Sequence, residues 1–329
     1  AWIGLAWNAP AATWYVATGG NDANSGVSWA PAVATPAAAV ALASMGDTVM
    51  ISNGTYAVTS PITWNLGMLT IRGAGANAAD TVLQASASRI LALGGVGNVV
   101  SNLQFKGAAP DAVYIVNGNN AVIGNCDFAS NAYGLVLSNS SYCAISDSVF
   151  TNNTSAGVWL RYSQYNTWED CRFLRNKTAI HNGEPTDGRK GDSRGQTVAR
   201  CVFAHQSAYA AYLIADRSGT GVLFNHCTFF NNQNIVTYGH YAGGVISNSL
   251  FVGVARILHQ TTDTANPWSY VASSLIHAVS RVNGSTRTAV LPSAVISATG
   301  PSFVDPGQDD FRLYADSPVL GQTVDGKNF

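Results

Sequence analysis

Large apolar residues recur along the middle of the chain at a spacing of about two dozen positions, each time inside the same short phrase. The phrase reads Asn102-Leu-Gln-Phe105, Asn125-Cys-Asp-Phe128, Asp147-Ser-Val-Phe150 and Asp170-Cys-Arg-Phe173. It continues as Arg200-Cys-Val-Phe203, His226-Cys-Thr-Phe229 and Asn248-Ser-Leu-Phe251, with a degenerate copy at Ser273-Ser-Leu-Ile276. Successive Phe residues are 23, 22, 23, 30, 26 and 22 positions apart. A large apolar residue precedes each polar one by two: Val100, Ile123, Ile145, Trp168, Val198, Phe224 and Ile246. A second apolar stretch follows each copy, as in Gly134-Leu-Val-Leu137, Gly157-Val-Trp-Leu160, Ala211-Tyr-Leu-Ile214 and Arg256-Ile-Leu-His259. Each repeat thus holds three short β-type stretches divided by Asn, Ser, Gly and Asp, with no room for crossover helices. That pattern predicts one coil of a parallel β-helix per repeat. The leucine-rich repeat competes at this period, but its L-x-x-L-x-L phrase is absent.

Coils of such a solenoid stack by backbone hydrogen bonds about 4.8 Å apart, so Phe is expected above Phe and Cys above Cys or Ser. The polar residue opening each phrase falls where the chain bends between strands, a place for left-handed backbone that suits Asn and Asp. Arg200 and His226 interrupt any continuous amide stack there. Residues 13–66 are expected to form a first strand, a short Ala-rich helix over Ala37–Ala43 and the first coil. Residues 67–293 carry the stacked coils, and 294–329 close the stack. The expectation is an all-β, single-domain solenoid of roughly ten coils spanning 13–329, with the helix capping its first end.

Residues 1–12 form a separate apolar segment in which Trp2, Ile3, Leu5 and Trp7 have no charged neighbours. Three readings fit it: the tail of a signal peptide, a segment folded back on its own coils, or one donated to a neighbouring molecule by strand addition.

Composition narrows the function classes. The 329 residues carry 17 Lys+Arg and 18 Asp+Glu, a formal charge of −1, and only 11% are charged. That balance argues against a nucleic-acid binder, which needs a basic face. No apolar run reaches the roughly 18 residues of a membrane span. With 47% apolar and 10% aromatic residues the chain is not disordered. The five cysteines, Cys126, Cys143, Cys171, Cys201 and Cys227, form no C-x-x-C pair and are odd in number, so they read as buried, inert thiols.

Both ends carry a resemblance. Trp14-Tyr-Val-Ala-Thr-Gly-Gly-Asn-Asp-Ala-Asn-Ser-Gly26, Gly46-Asp-Thr-Val49 and Asn53-Gly-Thr-Tyr56 resemble the opening strand and first coil of secreted bacterial right-handed parallel β-helix proteins, the pectate-lyase-like superfamily. Pro301-Ser-Phe-Val-Asp-Pro306, Asp310-Phe-Arg-Leu313 and Asp316-Ser-Pro-Val319 resemble that superfamily's closing segment. The resemblance implies a right-handed coil, an extracellular or cell-surface location, and a substrate groove on the outer face of the strand that contains Ile180. Lyase chemistry would follow, with Ca²⁺ against a substrate carboxylate and a Lys or Arg abstracting the neighbouring proton. The superfamily's catalytic phrases do not transfer. Trp168-Glu-Asp170 matches part of the pectate lyase W-x-D-H phrase, but Cys171 stands in place of its His. Asp309-Asp310 is the only Asp pair and lies in the closing segment, and Gly239-His240 lacks a second Gly.

The long step between Phe173 and Phe203 holds the densest charge in the chain. From it come the candidate catalytic residues His181, Arg189, Lys190 and Arg194, and the candidate cation ligands Glu184, Asp187 and Asp192. The outward column of the groove strand is expected to run Tyr114, Val136, Trp159, His181, Leu213, Val236, Leu258. Candidate substrate contacts are Trp159, Arg161, Tyr162, Asp216, Arg217, His240 and Tyr241, because aromatic rings stack on sugar rings. Three functions compete. The favoured one is a secreted structural protein that associates with copies of itself, into filaments, through Trp2, Ile3, Leu5, Trp7, the coil ends and the apolar face. The others are a polysaccharide lyase or hydrolase acting around 181–194, and a non-catalytic glycan binder using the same groove.

Overall fold

The computed structural model describes residues 10–182, 193–213, 219–238, 242–260, 269–283, 295–296 and 300–319. Three parallel sheets run its length, with eleven, eleven and ten strands, and each coil contributes one strand to each. We name them in chain order. In one coil sheet A takes Val99–Ser101, sheet B takes Gln104–Lys106 and sheet C takes Asp111–Val116. Register is kept from coil to coil. Phe105, Phe128, Phe150, Phe173, Phe203, Phe229 and Phe251 pair in sequence along sheet B. Their rings stack near-parallel at centroid distances of 5.3, 4.6, 4.9, 4.9, 5.0 and 5.1 Å. The column from Val100 to Ile246 aligns likewise inside sheet A.

The phenyl stack explains two glycines. A Cβ on Gly134 would lie 3.0 Å from Phe128 Cβ and 2.6 Å from Gly157 O, and one on Gly157 would lie 3.1 Å from Phe150 Cβ. Overpacking at such a point forces the backbone to shift.

The bends follow the expected chemistry. Asn102, Asn125, Asp147, Asp170, Arg200, His226, Asn248 and Ser273 all have φ between 48° and 56°. Asn125 donates to Asn102 at 2.9 Å. Where Arg200 replaces the amide, an ion pair takes over, with Arg200 reaching Asp170 at 2.7 Å and Glu169 at 3.0 Å.

A second, fully buried ladder lies three residues after Phe128, Phe150, Phe173, Phe203 and Phe229. Asn131, Asn153, Asn176, Gln206 and Asn232 each accept the backbone N–H of the same position one coil earlier and donate to a backbone carbonyl further back. The five side-chain amides of this corner are thereby all paired, as buried polar groups generally are. All five cysteines are free and buried. Burial pushes Cys126 and Cys227 up to about 12 and Cys143 up to about 11, so the thiolate forms are suppressed.

The helix spans Pro36–Leu42, one residue earlier than expected. Thr35 Oγ1 caps it by accepting Ala38 N at 3.2 Å, and Pro36 occupies its first turn. Ala39 and Val40 are buried against the first coil.

The closing segment differs from expectation in where residues 300–319 lie. They run along the outside of sheet B. Phe303 and Phe311 pack on Leu174, Ala204 and Phe230, and Val319 packs on Leu250 and Leu275. Arg175 pairs with Asp309, and Arg172 donates to the Asp309 carbonyl. The outward positions Leu174, Ala204 and Phe230 form an apolar stripe in register, and a stripe of that size needs a cover. The end of the coil does not supply one.

Candidate functional site

Sheet C presents the residues that point away from the core in the middle coils. Its strands Tyr133–Ser138, Ala156–Arg161, Thr178–Asn182 and Tyr209–Leu213 are consecutive neighbours. Register aligns Tyr114, Val136, Trp159, His181, Tyr212, Thr237 and His259 in one row. The first four positions are the expected ones. The last three correct Leu213, Val236 and Leu258 by one residue. Val236 and Leu258 instead continue the column of Val158, Ile180 and Ala211. A one-residue slip exchanges the two faces of a strand, and here both faces carry large apolar side chains, so alternation does not show which is outer.

The outer column is an aromatic row. Tyr133 stacks on Trp159 at 4.9 Å, Trp159 lies near-parallel to His181 at 6.2 Å, and His181 meets Tyr212 edge-on at 5.2 Å. Tyr209 joins at 5.1 Å from Tyr212. Val136, in register between Tyr114 and Trp159, is buried. Two guanidinium groups lie over this row: Arg89 is 4.0 Å from the Tyr114 ring and Arg161 is 4.9 Å from the Trp159 ring. They differ in partner. Arg89 makes a two-pronged bond to Asp111, whereas Arg161 pairs with no carboxylate among the described residues. The Nε atoms of Arg161 and the Nε1 atom of Trp159 are both buried without a hydrogen-bond partner. Unmet donors of this kind are uncommon, and two of them meet on one face.

His181 is held in the neutral form. Burial, supported by the positive charge of Lys177, brings it down to about 4. A base that weak is poorly matched to proton abstraction near neutral pH, while its neutral ring still offers one donor and one acceptor. Tyr162 occupies a left-handed corner position, φ 51°, directly after Arg161. Arg194 is half-buried and its carbonyl accepts Tyr165 N at 3.0 Å.

Thus Trp159, Arg161, Tyr162 and His181 come together within two coils. Glu184, Asp187, Arg189, Lys190, Asp192, Asp216, Arg217, His240 and Tyr241 lie outside the described residues, as do Trp2, Ile3, Leu5 and Trp7. Among the described residues no cluster of three His, Cys, Asp or Glu side chains is placed to hold a metal ion. Tyr133, Tyr209 and Tyr212 were not singled out from the sequence. Counting strand positions from the repeat phrase, instead of following apolar residues, would have found Tyr212.

Comparison with known proteins settles the fold. A family model described as the right handed beta helix region matches residues 89–251. The chain is a right-handed parallel β-helix. No functionally curated protein resembles this β-helix in sequence. Among solved structures, the pectate lyase Pel9A aligns over 94% of the β-helix chain and 90% of its own, at 16% identity and a TM-score of 0.58. The tailspike protein gp49 of Acinetobacter baumannii bacteriophage Fri1, a capsular polysaccharide depolymerase, aligns over 79% of the chain at 12% identity and a TM-score of 0.55. The β-helix spans only 59% of that tailspike's length. An alginate lyase from Paenibacillus sp. str. FPU-7 aligns over 77% of this chain and 93% of its own, at 12% identity and a TM-score of 0.53. At these identities the likeness concerns the fold, and one fold hosts many functions.

Proposed function

We propose that the protein binds an anionic polysaccharide along the outer face of sheet C, with the sugar chain running parallel to the coil axis. The carrying observation is the row from Trp159 through His181 to Tyr212, with Arg161 over it and no carboxylate among the described residues to neutralise that guanidinium. Aromatic faces bury the C–H surfaces of sugar rings. Arg161 supplies a charged fork for a carboxylate, and the unmet Nε of Arg161 and Nε1 of Trp159 await oxygens of the ligand. The three neighbours described above act, by their names, on capsular polysaccharide, pectate and alginate, which supports a polysaccharide ligand. This reading puts the protein to work outside the cytoplasm. The weak base at His181 makes it a hydrogen-bonding group for the ligand, and cleavage, where it occurs, is assigned to the 183–192 segment.

The test is affinity electrophoresis through gels containing polygalacturonate, alginate or neutral dextran. Retardation by at least one polyanion, lost in Trp159→Ala and Arg161→Ala, is expected. Equal mobility in every gel contradicts the proposal. Release of new reducing or unsaturated ends in the same mixtures reports cleavage.

One observation favours a second reading, lateral association of copies. The outer face of sheet A carries no charged side chain between Arg72 and Glu169, and Val122 and Leu223 are exposed on it. Sedimentation velocity over a wide concentration range tests this, and a monomer throughout would remove it.

A further inference from the structure

Between sheets C and A the chain turns through a second left-handed corner, and the residues at it form a column linked coil to coil by backbone hydrogen bonds. The column runs Gly46, Met68, Gly97, Asn120, Tyr142, Tyr165 and Gly195, with φ of 92°, 53°, 74°, 57°, 59°, 54° and 69°. Glycine and asparagine are the ordinary occupants of such backbone, and a bulky side chain there is disfavoured. Two consecutive coils nevertheless carry tyrosine. Their rings lie 5.4 Å apart and 14° from parallel, so two offset faces form a stepped surface. Both are open to solvent, Tyr142 by 60% and Tyr165 by 45%. The Tyr165 ring lies over Gly195, where any Cβ would come within 2.5 Å of it, so the glycine makes room for that ring.

Unfavourable backbone and exposed aromatic surface both count against stability, and such costs concentrate at functional sites. The surroundings select the occupant. The side chains hydrogen-bonded beside Tyr142 are neutral: Ser141 N donates to Asn119 Oδ1 at 2.7 Å, and Gln164 N donates to Ser141 Oγ at 3.0 Å. Arg194, the basic residue that follows this corner among the described ones, is half-buried and engaged in an interaction of its own. The corner is continuous with the face already described, since Trp159, Arg161 and Tyr165 belong to one coil.

We propose that Tyr142 and Tyr165 form a saccharide-stacking subsite for an uncharged pyranose of the bound polysaccharide, lying beside the charged face of sheet C. The subsite rests on the polysaccharide reading and extends it to a ligand that carries neutral sugar units, in its backbone or as a branch.

The experiment uses the full chain on an array of immobilised polysaccharides comprising polygalacturonate, alginate, xanthan, galactomannan and dextran. It compares wild type with Tyr142→Asn/Tyr165→Asn, Tyr142→Trp/Tyr165→Trp and Trp159→Ala. Asparagine suits the left-handed backbone, so the first variant removes the rings and keeps the corner, which an unchanged melting temperature verifies. On polymers containing neutral sugars the Asn variant is expected to bind about tenfold more weakly, the loss of one to two aromatic contacts, and the Trp variant to bind at least as well as wild type. Polygalacturonate binding is expected to change little. If the Asn variant matches wild type on every polymer while Trp159→Ala loses binding, the corner subsite is wrong and the sheet C reading stands. If wild type binds nothing on the array, the sheet C reading fails and this one with it. Altered sedimentation of the Asn variant with unaltered glycan binding would make the platform a contact between copies and would likewise overturn the proposal.

Discussion

Phe128 and Phe150 are 22 residues apart in the chain, yet their rings lie 4.6 Å apart with planes only 2° from parallel. The pairing Phe128↔Phe150 is one rung of a column that begins at Phe105 and ends at Phe251. The Phe150 ring is fully buried and touches the rings of the coils before and after. Removing one leaves a void that the rigid coils cannot close. Phe150→Ala is therefore expected to destabilise the protein by about 3–5 kcal/mol, measured by urea unfolding. A cost below about 1 kcal/mol would mean the column collapses freely.

Asn153 is the centre of the buried amide ladder. Its Oδ1 accepts Asn131 N at 3.1 Å, and its Nδ2 donates to Phe128 O at 3.0 Å and Asn176 Oδ1 at 2.8 Å. Asn153→Ala strands a buried donor and a buried acceptor at about 1–3 kcal/mol each, a loss of roughly 2–6 kcal/mol. Asn153→Asp is expected to be worse, since a carboxylate would then face two oxygens. Thermal melts at neutral pH that rank Asp above Ala would contradict the ladder.

His181 ties stability to pH. Its value falls from 6.5 to about 4 on folding, so below pH 6.5 the unfolded chain takes up the proton first. Unfolding then binds protons, and stability declines as pH drops from about 6.5 towards 4. His181→Gln removes this contribution. The melting temperature of wild type relative to His181→Gln should fall between pH 7 and pH 4.5, and a constant difference would contradict burial of the neutral ring.

The thiols report burial directly. With burial holding Cys126, Cys143 and Cys227 at about 11 to 12, a thiol reagent at mildly alkaline pH should label none of the five in the native protein and all five in denaturant. Fast native labelling of any one would break the assignment of these residues to the interior.

Residues 300–319 are held on sheet B chiefly by apolar contact. Phe311 lies 5.1 Å from Phe230 and 5.6 Å from Phe303, while the Arg175 side chain of the Arg175–Asp309 pair is 43% exposed. Exposed pairs contribute at most about 1 kcal/mol. Phe311→Ala should therefore release amide protection in 300–319 far more than Asp309→Ala, as read by hydrogen exchange. The reverse order would assign the segment's attachment to charge.

The repeat phrase made the stack legible because each coil repeats the same spacing of one apolar, one left-handed and one Phe position. Trp168 and Phe224 enlarge an inner column otherwise built of Val and Ile without disturbing it. The outer column was legible only as far as His181. Beyond it Ala211 and Tyr212 reverse the usual sizes of inner and outer residues, and register alone tells them apart. The path of 300–319 could not be read, because the stripe Leu174, Ala204 and Phe230 is contributed by three distant strands. Tyr142 and Tyr165 escaped notice for a different reason: they continue a position held by Asn120 one coil and Gly97 two coils before Tyr142, and the signal was the mismatch of residue type at a shared position.

The most direct measurement is a crystal structure of the protein soaked with an acidic oligosaccharide that it binds in solution. The sugar chain should lie along Trp159, His181 and Tyr212, with a carboxylate on Arg161. Density for the sugar on sheet A or sheet B, with this face left bare, would contradict the account.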